Sequence, residues 1–107
     1  MTMKTIISST GSQLNSPFDL RFGRAGWFCL YDEETGETTF FENEFKDAFQ
    51  GAGGKVVEKM VELGVAKVIS GDFGPKARDL LDRFQVQMVI FPDEGYTVED
   101  IITKLKS

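Results

Sequence analysis

"FQGAGGKVVEKMVELGVAKVIS", residues 49–70, holds a glycine-rich run, a helical period and a β-branched run in immediate succession. Val56, Val57, Met60 and Leu63 recur on one helical face and Gly64 ends the pattern, so residues 54–63 predict a helix, α1. "AKVIS", residues 66–70, predicts a short buried strand, β4. The glycines ahead of Lys55 invite comparison with phosphate cradles. A Walker-type loop needs a glycine where Phe49 stands and a Ser or Thr where Val56 stands. A dinucleotide fingerprint needs a third glycine, again at Val56. Neither template fits. What remains is a set of small residues that lets an anion approach free amides at a helix N-terminus, or simply a loop entering a helix.

The rest of the chain extends this pattern on both sides. Towards the N-terminus, "KTIISS" (residues 4–9) predicts a strand, β1, followed by a polar, Gly- and Pro-containing loop. "GWFCLYD" and "ETTFFEN" flank Glu33–Gly36 and predict a hairpin, β2 and β3, over residues 26–32 and 37–43. Towards the C-terminus, Pro75 suits the first turn of a helix, α2, with Ala77, Leu80, Leu81 and Phe84 on its apolar face. "VQMVIF" (residues 86–91) predicts the last strand, β5. Thr97 can cap a third helix, α3, carrying Val98, Ile101, Ile102 and Leu105. The order β1-β2-β3-α1-β4-α2-β5-α3 predicts an α/β fold with a mixed five-stranded sheet in which β2 runs antiparallel, as one domain over residues 1–107.

Composition narrows the function. A chain of 107 residues buries roughly 60–70% of its unfolded surface and needs neither disulfide nor metal to fold. Cys29 is the only cysteine and lies in mid-strand among apolar residues, where a buried structural role is expected. One cysteine, no leader-like segment and no run of apolar residues long enough to span a membrane predict a cytoplasmic protein without membrane or disulfide. The net charge of −5 opposes a sequence-independent grip on nucleic acid. With no histidine at all, the usual general base and the commonest transition-metal ligand are both missing.

Strand and helix directions bring four segments to the carboxyl edge of the sheet: "SSTGS", "RFGRA", "QGAGGK" and "SGDFGPK". They carry Arg21, Arg24, Lys55 and Lys76, together with the N-termini of the helices. Each helix N-terminus acts as roughly half a positive charge, so this edge suits an anion.

"FGRAGWFCLYDEETGE", "GAGGKVVEKMVELGV" and "VISGDFGPKARDLL" resemble, in order and spacing, segments of the family involved in biosynthesis of the dinitrogenase iron-molybdenum cofactor. The resemblance runs from about Lys4 to Leu105. It implies a ribonuclease H-like three-layer α/β fold and a nitrogen fixation-related, non-catalytic carrier that holds an iron-molybdenum or other metal-sulfur cluster non-covalently. It also implies cofactor-assembly proteins as partners. Many members of the family carry a histidine just before the FGRA segment, where Arg21 stands here, so a cluster would be held as an anion rather than through imidazole. The candidate site on this reading is Ser9, Arg21, Phe22, Gly23, Arg24, Gly51, Ala52, Gly53, Gly54, Lys55, Gly71 and Gly74.

Two rival readings use the same edge. A two-metal nuclease needs converging carboxylates, and only Asp72 is well placed, so no enzymatic activity is expected. A module for a small organic or phosphorylated ligand needs no metal and would use the same cations. Phe18, Phe22, Phe49 and Phe73 could line such a pocket, although at least two of them are expected in the core.

Overall fold

A computed structural model describes residues 3–106; residues 1, 2 and 107, which the single-domain expectation takes in, lie outside the described residues. The elements are β1 (Lys4–Ser9), β2 (Trp27–Asp32), β3 (Thr38–Glu42), α1 (Ala52–Glu62), β4 (Lys67–Ser70), α2 (Pro75–Arg83), β5 (Gln87–Ile90) and α3 (Val98–Lys106). They follow one another in the expected order. The five-stranded sheet is open and mixed, in the order β3-β2-β1-β4-β5. β2 is antiparallel to both β1 and β3, whereas β4 and β5 run parallel to β1.

Alternation along the strands distributes the core between two faces. Ile6, Phe28 and Val68 pack with Val56, Val57 and Met60 of α1 and Ala77 and Leu81 of α2. Ile7, Cys29, Tyr31 and Ile69 pack on the opposite face against Val98, Ile101 and Ile102 of α3. Central strand β1 is therefore buried on both sides, which explains its continuous β-branched run. Gly36, at φ 81°, closes the hairpin as its sequence predicts, and its amide donates to the Asp32 carbonyl.

α1 starts two residues earlier than its apolar period indicates. Gly51 sits outside it in the left-handed region at φ 71°, and Gly53 and Gly54 belong to the first turn. The glycines are tolerated there because α1 and α2 approach closely: a Cβ on Gly53 would lie 3.4 Å from the Ala77 Cβ, and one on Gly54 would lie 3.6 Å from Leu80 Cδ1. Phe84 also departs from expectation. It follows the last residue of α2 and is 50% exposed, because the chain turns away through Gln85 at φ 59° before entering β5. No helix among the described residues is long and apolar enough to cross a membrane.

Candidate functional site

The loop from Asp19 to Gly26 forms an arch over the carboxyl ends of β1 and β4, and a buried carboxylate holds it. Asp19 is 4% exposed. Its Oδ1 accepts from the Arg21 amide (3.0 Å) and Arg21 Nε (3.1 Å), and its Oδ2 accepts from Arg21 Nη2 (3.0 Å) and the Gly26 amide (3.2 Å). Beneath it, the Ser8 hydroxyl donates to the Asp19 carbonyl at 2.6 Å and lies 2.9 Å from Ser70 Oγ. The hydrogen bond and charge of Asp19 raise the pKa of the Arg21 guanidinium, so Arg21 is a permanent cation.

Glycines set how closely the arch meets its neighbours. A Cβ on Gly71 would come within 2.7 Å of Leu20 Cβ, and one on Gly23 within 3.0 Å of the Gly53 nitrogen. Asn43, buried after β3, ties the arch to the next loop by donating from Nδ2 to the carbonyls of Gly23 and Ala25, both at 2.9 Å. Arg24 adds a second tie, donating from Nη1 to the carbonyls of Lys46 (2.8 Å) and Ala48 (2.6 Å).

Between the arch and the starts of α1 and α2 opens a cleft of about 620 Å³. Leu20, Phe22, Ala52, Pro75 and Ala77 contribute apolar wall; Arg21, Arg24 and Lys76 contribute positive charge, and Asp72 one carboxylate. Neither helix has a side-chain cap or an acidic residue in its first turn. Their first helical amides, those of Ala52, Gly53 and Gly54 in α1 and of Lys76 and Ala77 in α2, precede the first ladder bonds, which run from Lys55 to Gly51 and from Arg78 to Gly74. Two positive helix ends thus meet at one cleft in an acidic protein.

Most of the residues expected from sequence meet here. Arg21, Phe22, Gly23, Arg24, Gly51, Ala52, Gly53, Gly54 and Gly74 line the cleft. Ser9, Gly71 and Lys55 do not. Ser9 is buried and its hydroxyl donates to the Gly11 carbonyl at 2.7 Å, closing a local turn. Gly71 packs beneath Leu20. Lys55 is exposed outside the lining, one residue beyond the open amides, and Lys76 supplies the cation instead. The N-terminus of α3 is also unavailable: the amides of Val98 and Glu99 donate to the carbonyls of Ser16 and Leu14, and Thr97 caps the Asp100 amide at 3.1 Å. Of the four aromatic loop residues, Phe18, Phe22 and Phe73 are core, whereas Phe49 is 92% exposed.

Asp19 and Asn43 hold the arch in place yet match no motif in the sequence. The signal was slight: an aspartate between apolar neighbours, two residues before an arginine, and an asparagine at the end of a strand. Cys29 is fully buried on the α3 face, and burial pushes its thiol up to about 12, so it lies outside the cleft and stays protonated. Among the described residues no group of three or more His, Cys, Asp or Glu side chains is placed to hold a metal ion.

The family model described as dinitrogenase iron-molybdenum cofactor matches residues 3–107. The chain belongs to the dinitrogenase iron-molybdenum cofactor family. A solved structure of similar architecture, that of a Thermotoga protein provisionally described as NifB and assigned to the DUF35 family, is 36% identical; the match covers 97% of this chain and 87% of that one, with a TM-score of 0.83. The apo form of the orange protein from Desulfovibrio gigas shares the fold at a TM-score of 0.90 and 24% identity, over 99% of this chain and 88% of that one. No curated protein sequence gives a significant match. Within this family's frame the cleft of this chain is built from an arch, two uncapped helix starts and three cations.

Proposed function

We propose that the cleft binds an anion as a whole, in the first place a metal-sulfur cluster or an oxyanion such as molybdate, and carries it without chemical turnover. One observation carries this reading: the uncapped N-termini of α1 and α2 converge with Arg21, Arg24 and Lys76 on one cleft of about 620 Å³. That volume suits a compact polynuclear anion, since ligand pockets span about 300–1,000 Å³. The donor set fits outer-sphere binding. It offers amides, guanidinium and ammonium groups, with no imidazole in the chain and a thiol that is buried elsewhere. Family membership supports an iron-molybdenum or related cluster as the cargo and cofactor-assembly proteins as the partners. The strand order, with β2 antiparallel, supports the ribonuclease H-like reading of the fold.

Titration with molybdate, tetrathiomolybdate and phosphate, followed by calorimetry and by the amide resonances of Ala52, Gly53, Gly54, Lys76 and Ala77, tests the reading. Shifts at these amides, strongest with tetrathiomolybdate, are expected; a stronger response to phosphate would assign the cleft to phosphorylated small molecules instead. Silence of these amides with every anion would overturn the anion site. Carriage without turnover is checked separately, by incubating the protein with Mg²⁺ and single-stranded or hybrid nucleic acid. Hydrolysis abolished by Asp72→Asn would refute it.

A further inference from the structure

Arg24 belongs to the cleft and to the neighbouring loop at once. Its Nη1 bridges the carbonyls of Lys46 and Ala48, and the residue is part of the cleft lining. A guanidinium is one rigid plane with five N–H donors, so an anion drawing on Nε or Nη2 shares a body with the loop carbonyls on Nη1. The loop itself is held at its start and middle. Asn43 fastens it to Gly23 and Ala25, Arg24 fastens Lys46 and Ala48, and the Ala48 amide donates to the Phe45 carbonyl. Phe49 and Gln50 then connect Ala48 to Gly51, whose left-handed φ of 71° has open space on the Cβ side.

The side chain on that short connection is a phenylalanine, 92% exposed and outside the cleft lining. Two virtual bonds separate it from Gly51, so its Cα lies within about 7.6 Å of a residue that does line the cleft. A ring of that size in water is unfavourable, and the cleft lining includes two apolar side chains that are not buried, Leu20 and Pro75.

We propose that Arg24 couples occupation of the cleft to the loop of residues 44–50, and that this loop closes the Phe49 ring over the bound anion. The proposal rests on the reading of the cleft as an anion site. Arg24 is on this account a positioning residue: its fork fixes the loop relative to the ligand, and its charge is the lesser part of its role.

Tetrathiomolybdate is the probe, read by amide NMR and by stopped-flow binding. In the unaltered protein the amides of Gly53 and Gly54 and those of Ala48, Phe49 and Gln50 should shift with one midpoint. Phe49→Ala, which removes only an exposed ring, should keep the cleft shifts and the association rate while dissociation becomes about tenfold faster. Arg24→Lys keeps a cation but not the fork, so the cleft amides should still respond and the loop amides should not. Unaltered dissociation in Phe49→Ala, or loop amides silent while the cleft amides shift in the unaltered protein, would overturn the closure and leave the cleft site standing. Loop shifts retained in Arg24→Lys would overturn the role of Arg24. Silence at both sets would overturn the site and the closure together.

Discussion

Asp19 and Cys29 show how far burial decides what a single side chain does. Asp19 accepts four hydrogen bonds, three of them from Arg21 and one from the Gly26 amide. Asp19→Ala leaves the Gly26 amide without its acceptor and releases the largely exposed Arg21 to water, so it should cost about 1–3 kcal/mol in urea unfolding. Asp19→Asn keeps the shape but not the charge and should fall between. Cys29 gives the opposite case. Its thiol is fully buried and raised from 9.0 to about 12 by desolvation, so alkylation at pH 8 should proceed only after unfolding. The folded state holds the proton more tightly than the unfolded one. Its contribution to stability is therefore complete below pH 9.0 and is lost as pH rises towards about 12, a slope that Cys29→Ala should lack. Cys29→Ala that folds yet abolishes all anion binding would show the thiol reading to be wrong.

Between elements, glycines mark where backbones touch, and they differ in what they tolerate. A Cβ at Gly23 would meet the nitrogen and Cα of Gly53 at 3.0 and 3.1 Å, and neither backbone can yield without moving the arch off α1. Gly23→Ala should cost about 1–3 kcal/mol, as overpacking does, and should shift the cleft amides before any ligand is added. Gly74 stands at φ −64° with nothing within 4 Å of its Cβ position, so Gly74→Ala should change stability by less than about 0.5 kcal/mol. Paired urea denaturations check the contrast. The two lysines at the helix starts separate in the same way: Lys76→Ala should weaken anion binding several-fold, and Lys55→Ala, outside the cleft, should leave it nearly unchanged in calorimetry. The apolar periods of α1, α2 and α3 and the Thr97 cap were legible because they are local patterns of 3 to 4 residues. The start of α1 was not, because Gly53 and Gly54 are helical through the packing of α1 on α2 rather than through their own propensity.

Over the whole molecule, a net charge of −5 surrounds a cleft with three cations, of which Arg21 is paired with Asp19, and one carboxylate in the lining, Asp72. Attraction inside the cleft competes with a repulsive background, and both are screened over about 8 Å at physiological salt. Affinity for tetrathiomolybdate should fall as ionic strength rises, because the cleft cations lie nearer the anion than the background charges do; a rise, read by calorimetry at two or more salt concentrations, would count against the anion site.

Sequence alone determined the element order, the mixed α/β sheet and the burial of Cys29, and it brought nine of the twelve expected residues to the cleft. It could do so because hydrophobic period, turn residues and strand direction are carried by neighbours along the chain. Tertiary structure decided which polar groups remained free. Ser9 turned to its own loop, the amides of α3 were taken by the carbonyls of Leu14 and Ser16, and Arg24 was shared with the carbonyls of Lys46 and Ala48. Whether a donor is open to a ligand depends on acceptors that lie far away in sequence, and only the folded chain brings them within 3 Å or so of one another.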